Sequence, residues 1–549
     1  MEKLTDTSRP TNPRWFCPET GVYSSTHPSI PLPTDPFLDI VSHIFSHKHD
    51  DHTSLIDSLS GSSISYSELF PLIKSIASGL QKMGIKQGDV VLLLLPTSIH
   101  FPIVFLGALY MGAVVTPMNP LCSMQEINER ITDCNPCVAF TVPQNFGKLQ
   151  SLEIPVISVP DNGILDDKRV EFRAFSKLLY GNSDMALSPV IMQQDTAAIV
   201  YSSGTTGASK GVVLTHRNFI SMIELFVRFE ASQYEYLSDK NVYLAILPMF
   251  HIYGLSLFVM GLLSLGCSIV VMRKFEVEEA VKVIGRYKVT HFPIVPPILA
   301  ALTRTTKGDC GNSLKQVSCG AAPLSGKAIQ EFVDTFPHVD FIQGYGMTES
   351  TAVGTRGFNT KNFSKYSSVG LLAPNTEAKV VALETGSFLP PGGIGELYLR
   401  GPAVMKGYLN NREATALTID KDGWLHTGDI SYIDNDGYLY LLDRLKEMIK
   451  YKGFQVAPAD LESVLISHPE ILDVAVTCGP HEECGEIPVA FVVKRHGSML
   501  TEADIMNYVA GQVAPHKKVR KVVFRESIPK SAAGKILRKE LKSSLTSKL

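Results

Sequence analysis

Residues 202–211, Ser-Ser-Gly-Thr-Thr-Gly-Ala-Ser-Lys-Gly, are the stretch of this chain best suited to holding a charged ligand. Small residues let backbone N–H groups and hydroxyls close around phosphate oxygens, and Lys210 adds a point charge. The stretch follows an apolar run, residues 197–201, that reads as a buried strand ending in a turn. A Walker A loop has Gly before its lysine and Ser or Thr after it. Ser209 and Gly211 stand in those places, so the loop reads as a polyphosphate cradle of a different kind. Its composition alone favours a flexible Gly/Ser surface loop, and the rest of the chain reverses that reading.

Four further segments follow in order: Gly344-Tyr345-Gly346-Met347-Thr348-Glu349, Thr427-Gly428-Asp429, Asp443-Arg444-Leu445-Lys446, and Pro529-Lys530-Ser531-Ala532-Ala533-Gly534-Lys535. With the 202–211 loop, their order and separations resemble the acyl-adenylate-forming (ANL) superfamily over nearly the whole chain. Residues 247–253 (Leu-Pro-Met-Phe-His-Ile-Tyr) and 449–458 (Ile-Lys-Tyr-Lys-Gly-Phe-Gln-Val-Ala-Pro) resemble the plant 4-coumarate–CoA ligase group, including its peroxisomal acyl-CoA synthetases.

The resemblance implies a two-step reaction. A carboxylate attacks the α-phosphate of ATP, releasing pyrophosphate, and coenzyme A then displaces AMP. Both first-step reactants are anions, so the transition state needs cations and fixed donors. The resemblance makes Lys535 the adenylation lysine and His251 the gate or orienter beside the acyl carboxylate. It puts Ser202, Ser203, Gly204, Thr205, Thr206, Gly207 and Lys210 around the β- and γ-phosphates. Gln343, Gly344 and Tyr345 fall on the adenine side, where glycine lets backbone approach a flat ring. Asp429 and Arg444 fall on the ribose. Glu349, with Thr348 nearby, is the carboxylate on the Mg²⁺ side. Lys446, Lys450 and Gln455 match positions facing the nucleotide, and Lys452 and Gly453 match positions facing coenzyme A in a second state. Lys274 matches a position near the coenzyme A nucleotide.

The acid pocket implied by the same resemblance contains Ile252, Tyr253, Leu257, Ala321, Gly346 and Val353. Three departures stand out: Leu257 where a small polar residue is common, Ser318 where Met is common, and Ser350-Thr351-Ala352 after the Glu in place of Ala-Gly-Pro. An apolar Leu257 argues against a pocket built to bond a phenolic hydroxyl. The last three residues, Ser547-Lys548-Leu549, form a peroxisomal address, read by an import receptor, when they stand free at a C-terminus. Together these features predict a hydrophobic acid destined for β-oxidation: a fatty acid, a jasmonate precursor or a cinnamate-type acid. Competing expectations are a 4-coumarate–CoA ligase of phenylpropanoid metabolism and a luciferase-like monooxygenase on the same fold.

The elements that must carry these groups alternate. Residues 66–83 form an amphipathic helix through Leu69, Ile73, Ile76, Leu80 and Met83, stopped by Gly84. Strand 90–95, helix 98–111 and strand 113–116 follow, the alternation of parallel sheets covered by helices, and it recurs to about residue 350. Residues 368–443 shift to short strands and Asn-Asp-Gly turns, a β-rich subdomain. Beyond them, helices at 460–468 and 501–513 and strands at 474–477, 489–494 and 522–525 make a small α+β unit. The expected fold is α/β: a large N-terminal domain, 1–443, of stacked mixed and parallel sheets with helices. A mobile α+β lid, 444–549, carries Lys535, with a hinge within 443–447.

At 549 residues the chain exceeds one core, and at 45% hydrophobic and 19% charged its composition is that of an ordinary globular protein. A net charge of −3 with interspersed signs argues against nucleic acid and against electrostatic membrane binding. Nine scattered cysteines without a secretory signal read as reduced thiols. Residues 242–272 are long and apolar enough to span a bilayer, but Pro248, Gly254, Gly261 and Gly266 interrupt them. A buried helix feeding a buried strand, 268–272, fits better.

Overall fold

Alternation along the short strands sorts their side chains onto two faces, and each face finds its own core. In strand Val90–Leu94, Val91 and Leu93 join one apolar cluster while Leu92 and Leu94 join another, the pattern of a strand covered on both sides. The computed structural model describes residues 14–150, 152–161, 169–181, 189–202, 209–233, 240–306, 312–322, 324, 326–357, 365–451, 454–481, 484–531 and 534–546.

Among the described residues, a seven-stranded sheet runs in the order Gly407–Tyr408, Lys210–Thr215, Thr196–Ser202, Val114–Pro117, Val90–Leu94, Val138–Thr141 and Val156–Ser158. Pairing is parallel from Thr196–Ser202 onward and antiparallel before it. A nine-stranded sheet has a parallel centre in the order Asp340–Tyr345, Gln316–Cys319, His291–Ile294, Val242–Ala245, Ser268–Val271 and Thr53–Asp57. Antiparallel strands Thr355–Arg356, Leu371–Leu372 and Ser63–Ser65 finish its edges.

Helices Tyr66–Lys82 and His100–Tyr110 share one core with both sheets. Ile73, Phe105, Val115 and Val271 all belong to it. Ser65 caps the first of these helices and Glu68 reaches back to the Ser65 backbone N–H, a reciprocal capping box. The far face of the nine-stranded sheet is covered by helices Val277–Tyr287, Pro296–Thr306 and Gly326–Thr335 through Val283, Leu299 and Phe332.

The β-rich subdomain is a six-stranded antiparallel sheet in the order Phe16–Cys17, Val22–Ser24, Glu377–Val381, Gly395–Arg400, Leu425–Ile433, Leu439–Arg444. Its first two strands come from the far N-terminus, a pairing without local signal. The chain leaves this sheet at Arg444 and enters a five-stranded sheet at Ile449. There Val474 and Val476 face one cluster and Ala475 the other, under helices Pro458–Ile466 and Glu502–Ala510 on one side and Arg538–Thr546 on the other.

One expectation is corrected. Residues 242–272 begin as a strand, Val242–Ala245, paired between two parallel neighbours. The helical part is short and broken: Ile252–Gly254, a π-helical Leu255–Gly261 and Leu262–Ser264, before strand Ser268–Val271. Pro248 lacks the N–H and the torsional freedom to carry helix backward from this point. Among the described residues no helix is long and apolar enough to cross a membrane, and no disulfide joins the described cysteines.

Candidate functional site

Two loops leave the carboxyl ends of parallel strands close together, the place where open α/β sheets collect ligands. Strand Thr196–Ser202 leads into the 202–211 loop, and Asp340–Tyr345 leads into the turn Thr348–Ser350, against which the first strand packs. The 202–211 loop closes a hairpin, with Lys210 paired to Ser202 and Gly211 to Tyr201. A strand–loop–strand element accounts for the failed Walker match, which needs a helix after the loop. Ser209 Oγ donates to the Ser202 carbonyl at 2.8 Å, and Arg130 Nη2 donates to Ser209 Oγ at 2.8 Å. Lys210 Nζ lies 4.9 Å above the Tyr408 ring. Ser203, Gly204, Thr205, Thr206 and Gly207 lie outside the described residues, as do Lys452, Gly453 and Ser547-Lys548-Leu549.

Glu349 is buried, and its Oε1 accepts from the Tyr408 hydroxyl at 3.0 Å. The backbone after it is strained: Thr351 and Ala352 have φ of 53° and 64°, left-handed values that suit glycine. Thr351 Oγ1 donates to the Ala403 carbonyl at 2.7 Å and holds the turn. Gly346 is needed here, because a Cβ would sit 2.3 Å from the Ala352 carbonyl oxygen.

Two sequence motifs meet across adjacent strands. Asp429 is in register with Arg444, whose Nε lies 3.3 Å from Asp429 Oδ1. The Tyr345 hydroxyl donates to Asp429 Oδ2 at 2.6 Å. Burial raises the Asp429 carboxyl, and Arg444 and Tyr345 oppose the rise. Gln343 Nε2 donates to the Tyr366 carbonyl at 2.5 Å, and the Gln343 carbonyl accepts from Gly357 N at 2.7 Å.

Lys535 comes from the far end of the chain to the same place. A Cβ on the preceding Gly534 would lie 3.4 Å from Val295 Cβ and 3.1 Å from Pro297 Cδ, so the lysine loop is seated on the large domain. Burial and Arg444 push Lys535 down to about 8, against the pull of Asp429, Glu349 and Glu447. Burial and the charge of Lys535 push His251 down to about 4, which leaves it neutral at physiological pH. Burial and Lys210 lower Lys446, with Glu396 opposing, so two lysines flank the end of the 202–211 loop.

Other predicted residues stand apart from this group. Lys450 is exposed in the hairpin Ile449–Tyr451, Phe454–Val456, where it pairs with Gln455. Lys274 is exposed and bonds Glu276 at 2.7 Å.

The predicted acid-pocket residues differ in burial. Leu257 and Val353 are buried, Ile252 and Tyr253 partly so. A Cβ on Gly320 would lie 3.6 Å from the Tyr253 ring, and Ala321 follows at φ 70°. Sequence reading missed Tyr408, Glu447, Arg130 and the Arg356–Glu230 ion pair at 2.7 Å. Glu447 lay inside the charged junction already singled out, and it holds Arg538 Nη1 at 2.7 Å. Tyr408 and Glu230 carry no local signal, since each acts only through partners distant in sequence. Among the described residues no three His, Cys, Asp or Glu converge as a metal cage.

The model of the AMP-binding enzyme family matches residues 44–409, and that of the AMP-binding enzyme C-terminal domain matches 460–535. The chain is 60% identical over 546 residues to 4-coumarate–CoA ligase-like 6 of Arabidopsis thaliana, covering 99% of this chain and 96% of that one. It is 43% identical to peroxisomal OPC-8:0-CoA ligase 1 of the same plant, covering 96% of each. The crystal structure of ATP-bound MatB from Rhodopseudomonas palustris superposes with a TM-score of 0.84 at 27% identity, covering 92% of this chain and 98% of that one.

Proposed function

The chain belongs to the AMP-binding enzyme family, an acid–thiol ligase that uses ATP and coenzyme A, and from this premise we propose that it activates a hydrophobic carboxylic acid in the peroxisome. The observation that carries the site assignment is the convergence of Lys535, Arg444, Asp429 and Glu349. These groups come from four separate stretches of sequence, and together they offer a cation, a ribose acceptor and a metal-side carboxylate.

In this reading the 202–211 loop, with Lys210 and Lys446, holds the β- and γ-phosphates. Gln343, Gly344 and Tyr345 flank the adenine. Asp429, fixed by Tyr345 and Arg444, accepts from the ribose hydroxyls. Glu349 has one oxygen occupied by Tyr408 and the other available to Mg²⁺. One carboxylate plus phosphate oxygens is the usual way a protein binds Mg²⁺, which fits a site without a protein-only cage. Bound there with Thr348 nearby, the ion would neutralise phosphate charge. Lys535 contacts the acid carboxylate and the α-phosphate together, and neutral His251 orients the carboxylate by a hydrogen bond. Residues 444–549 then rotate about 443–447, carrying Lys450 and Gln455 away from the nucleotide, so that the coenzyme A thiol, guided by Lys274, Lys452 and Gly453, reaches the carbonyl.

The substrate class rests on three supports: the apolar Leu257, the terminal Ser-Lys-Leu as an address for the import receptor, and the 43% identity to a peroxisomal OPC-8:0-CoA ligase. The second reading, a 4-coumarate–CoA ligase of phenylpropanoid metabolism, is favoured by the name of the 60% identical relative. Coenzyme A-dependent AMP release across 4-coumarate, cinnamate, C6 to C18 fatty acids and cyclopentanone octanoates separates the two. The expected result is strong turnover of fatty or cyclopentanone acids and weak turnover of coumarate. Dominant coumarate turnover overturns the substrate reading.

A further inference from the structure

The hairpin that closes at the 202–211 loop has two unlike faces. Its strands pair Ser202 with Lys210 and Tyr201 with Gly211. Alternation sends Lys210 to one face and Tyr201 to the other, and carries Ser209 to the Tyr201 side. On the first face Lys210 lies over the Tyr408 ring. On the second, one side chain touches both Tyr201 and Ser209. The Arg130 guanidinium lies over the Tyr201 ring, its Cζ 3.3 Å from the ring centre, and its Nη2 donates to Ser209 Oγ at 2.8 Å.

Arg130 belongs to helix Met124–Cys134, opened by a reciprocal Ser123–Glu126 capping box. Asp133, three residues on and so on the same side of the helix, accepts from the Tyr201 hydroxyl. The helix thus grips Tyr201 twice, by its hydroxyl and by its face. Asp133 is committed to Tyr201 and not to the guanidinium, so among the described residues no bonded carboxylate cancels the charge of half-buried Arg130. The chain beyond Tyr408 closes the arrangement. Asn410 Nδ2 donates to the Asp133 carbonyl at 3.0 Å, and Leu409 N donates to the Gly211 carbonyl at 2.7 Å. A Cβ on Gly211 would crowd Tyr201 Cζ at 3.1 Å and Leu409 Cβ at 3.2 Å, so the Ser or Thr of a Walker loop has no room here.

Ser209 Oγ in turn donates to the Ser202 carbonyl at 2.8 Å. One chain of bonds therefore runs from the Arg130 guanidinium through the Ser209 hydroxyl to Ser202, and it ties together the two ends of the loop. Each bond in such a chain polarises the next. Ends fixed in advance lower the entropy lost when a loop orders around a ligand. The guanidinium also adds positive potential beside Lys210. We propose that Arg130 is a positioning residue for the polyphosphate end of the nucleotide: through Ser209 it holds the root of the 202–211 loop ready for the β- and γ-phosphates. The assignment rests on the ligase reading above and adds to it a residue outside all five sequence motifs. An acyl-adenylate retains only the α-phosphate, so the effect of Arg130 is confined to the half-reaction that binds ATP and releases pyrophosphate.

The test is ATP–pyrophosphate exchange with the best acid of the panel, alongside thioester formation from supplied acyl-adenylate. Arg130→Met is expected to raise KM for ATP and for pyrophosphate by about tenfold. KM for the acid and the thioester rate are expected to stay within about twofold of the parent, a split that general damage to the fold does not produce. Arg130→Lys, which keeps a cation able to lie over Tyr201, is expected to recover most of the loss. Ser209→Ala cuts the same chain from the exposed loop side without touching the helix, so the test stands even where an Arg130 variant folds poorly. It is expected to raise the same two constants, and Arg130→Met/Ser209→Ala is expected to be little worse than either single variant, since both break one bond. An unchanged KM for ATP in either single variant overturns the assignment. So does a change shared by the acid KM and the thioester rate, or effects that multiply in the double variant. If the parent enzyme shows no exchange with any acid, the ligase reading itself fails and takes this assignment with it.

Discussion

Lys535 is chemically set apart by its surroundings. Burial and, after it, Arg444 hold it down to about 8, so it is cationic below that pH and neutral above. A cation is what two approaching anions need. ATP–pyrophosphate exchange is therefore expected to fall as pH rises through about 8. Lys535→Arg, which keeps its charge, is expected to remove that fall. Lys535→Ala is expected to cut adenylate formation by about 10²–10³-fold or more while sparing thioester formation from supplied acyl-adenylate. Loss of both half-reactions would deny Lys535 its role. His251, held near 4, does not change charge in this range and adds no second limb to the profile.

At the scale of elements, two glycines make opposite demands. Gly261 lets the π-helical segments Ile223–Arg228 and Leu255–Gly261 approach, and a methyl group there collides with Val227. Gly261→Ala is expected to destabilise by about 1–3 kcal/mol. Gly285 lies inside helix Val277–Tyr287 with nothing within 4 Å of an added Cβ. Gly285→Ala is expected to stabilise by about 0.5–1 kcal/mol, since alanine loses less backbone entropy on folding. Urea unfolding of both variants checks the pair, and a Gly261→Ala protein as stable as the parent would mean the two segments are not in close contact. The same elements show where local reading stops. Tyr66–Lys82 is visible from its apolar spacing and its Gly84 stop, because both signals are local. The strand Val242–Ala245 was hidden inside a longer apolar run, because burial and not periodicity governs a central parallel strand.

At the scale of the whole molecule, the proposed mechanism needs the lysine loop seated for one half-reaction and withdrawn for the other. Its seat is the contact of Gly534 with Val295 and Pro297, backed by Lys327 Nζ donating to the Ser467 carbonyl at 3.4 Å. Around the junction, Asp443 accepts from Arg444 N and Ala459 N, and Arg538 ties Glu447 to Glu462. The 3.4 Å between Val295 Cβ and a Cβ at 534 is close to the span of about 3.5–4.5 Å that a disulfide bridges. Val295→Cys/Gly534→Cys, oxidised, is expected to retain ATP–pyrophosphate exchange and to lose thioester formation, with reductant restoring it. Undiminished acyl-CoA production in the oxidised protein would rule out the rotation.

By itself the sequence determined the kind of chemistry, since the motifs carrying Lys210, Glu349, Asp429, Arg444 and Lys535 are short, contiguous and ordered. It also determined the layered α/β plan, since strand and helix periods are properties of neighbouring residues. Only the tertiary structure decided which of these residues meet. Asp429 faces Arg444 through cross-strand register, and Lys535 reaches both through packing of its loop on Val295 and Pro297. The Arg356–Glu230 ion pair was equally out of reach, because its two partners lie 126 residues apart on separate elements. Contacts between such distant positions are set by how whole elements pack, and no local pattern of residue types encodes them.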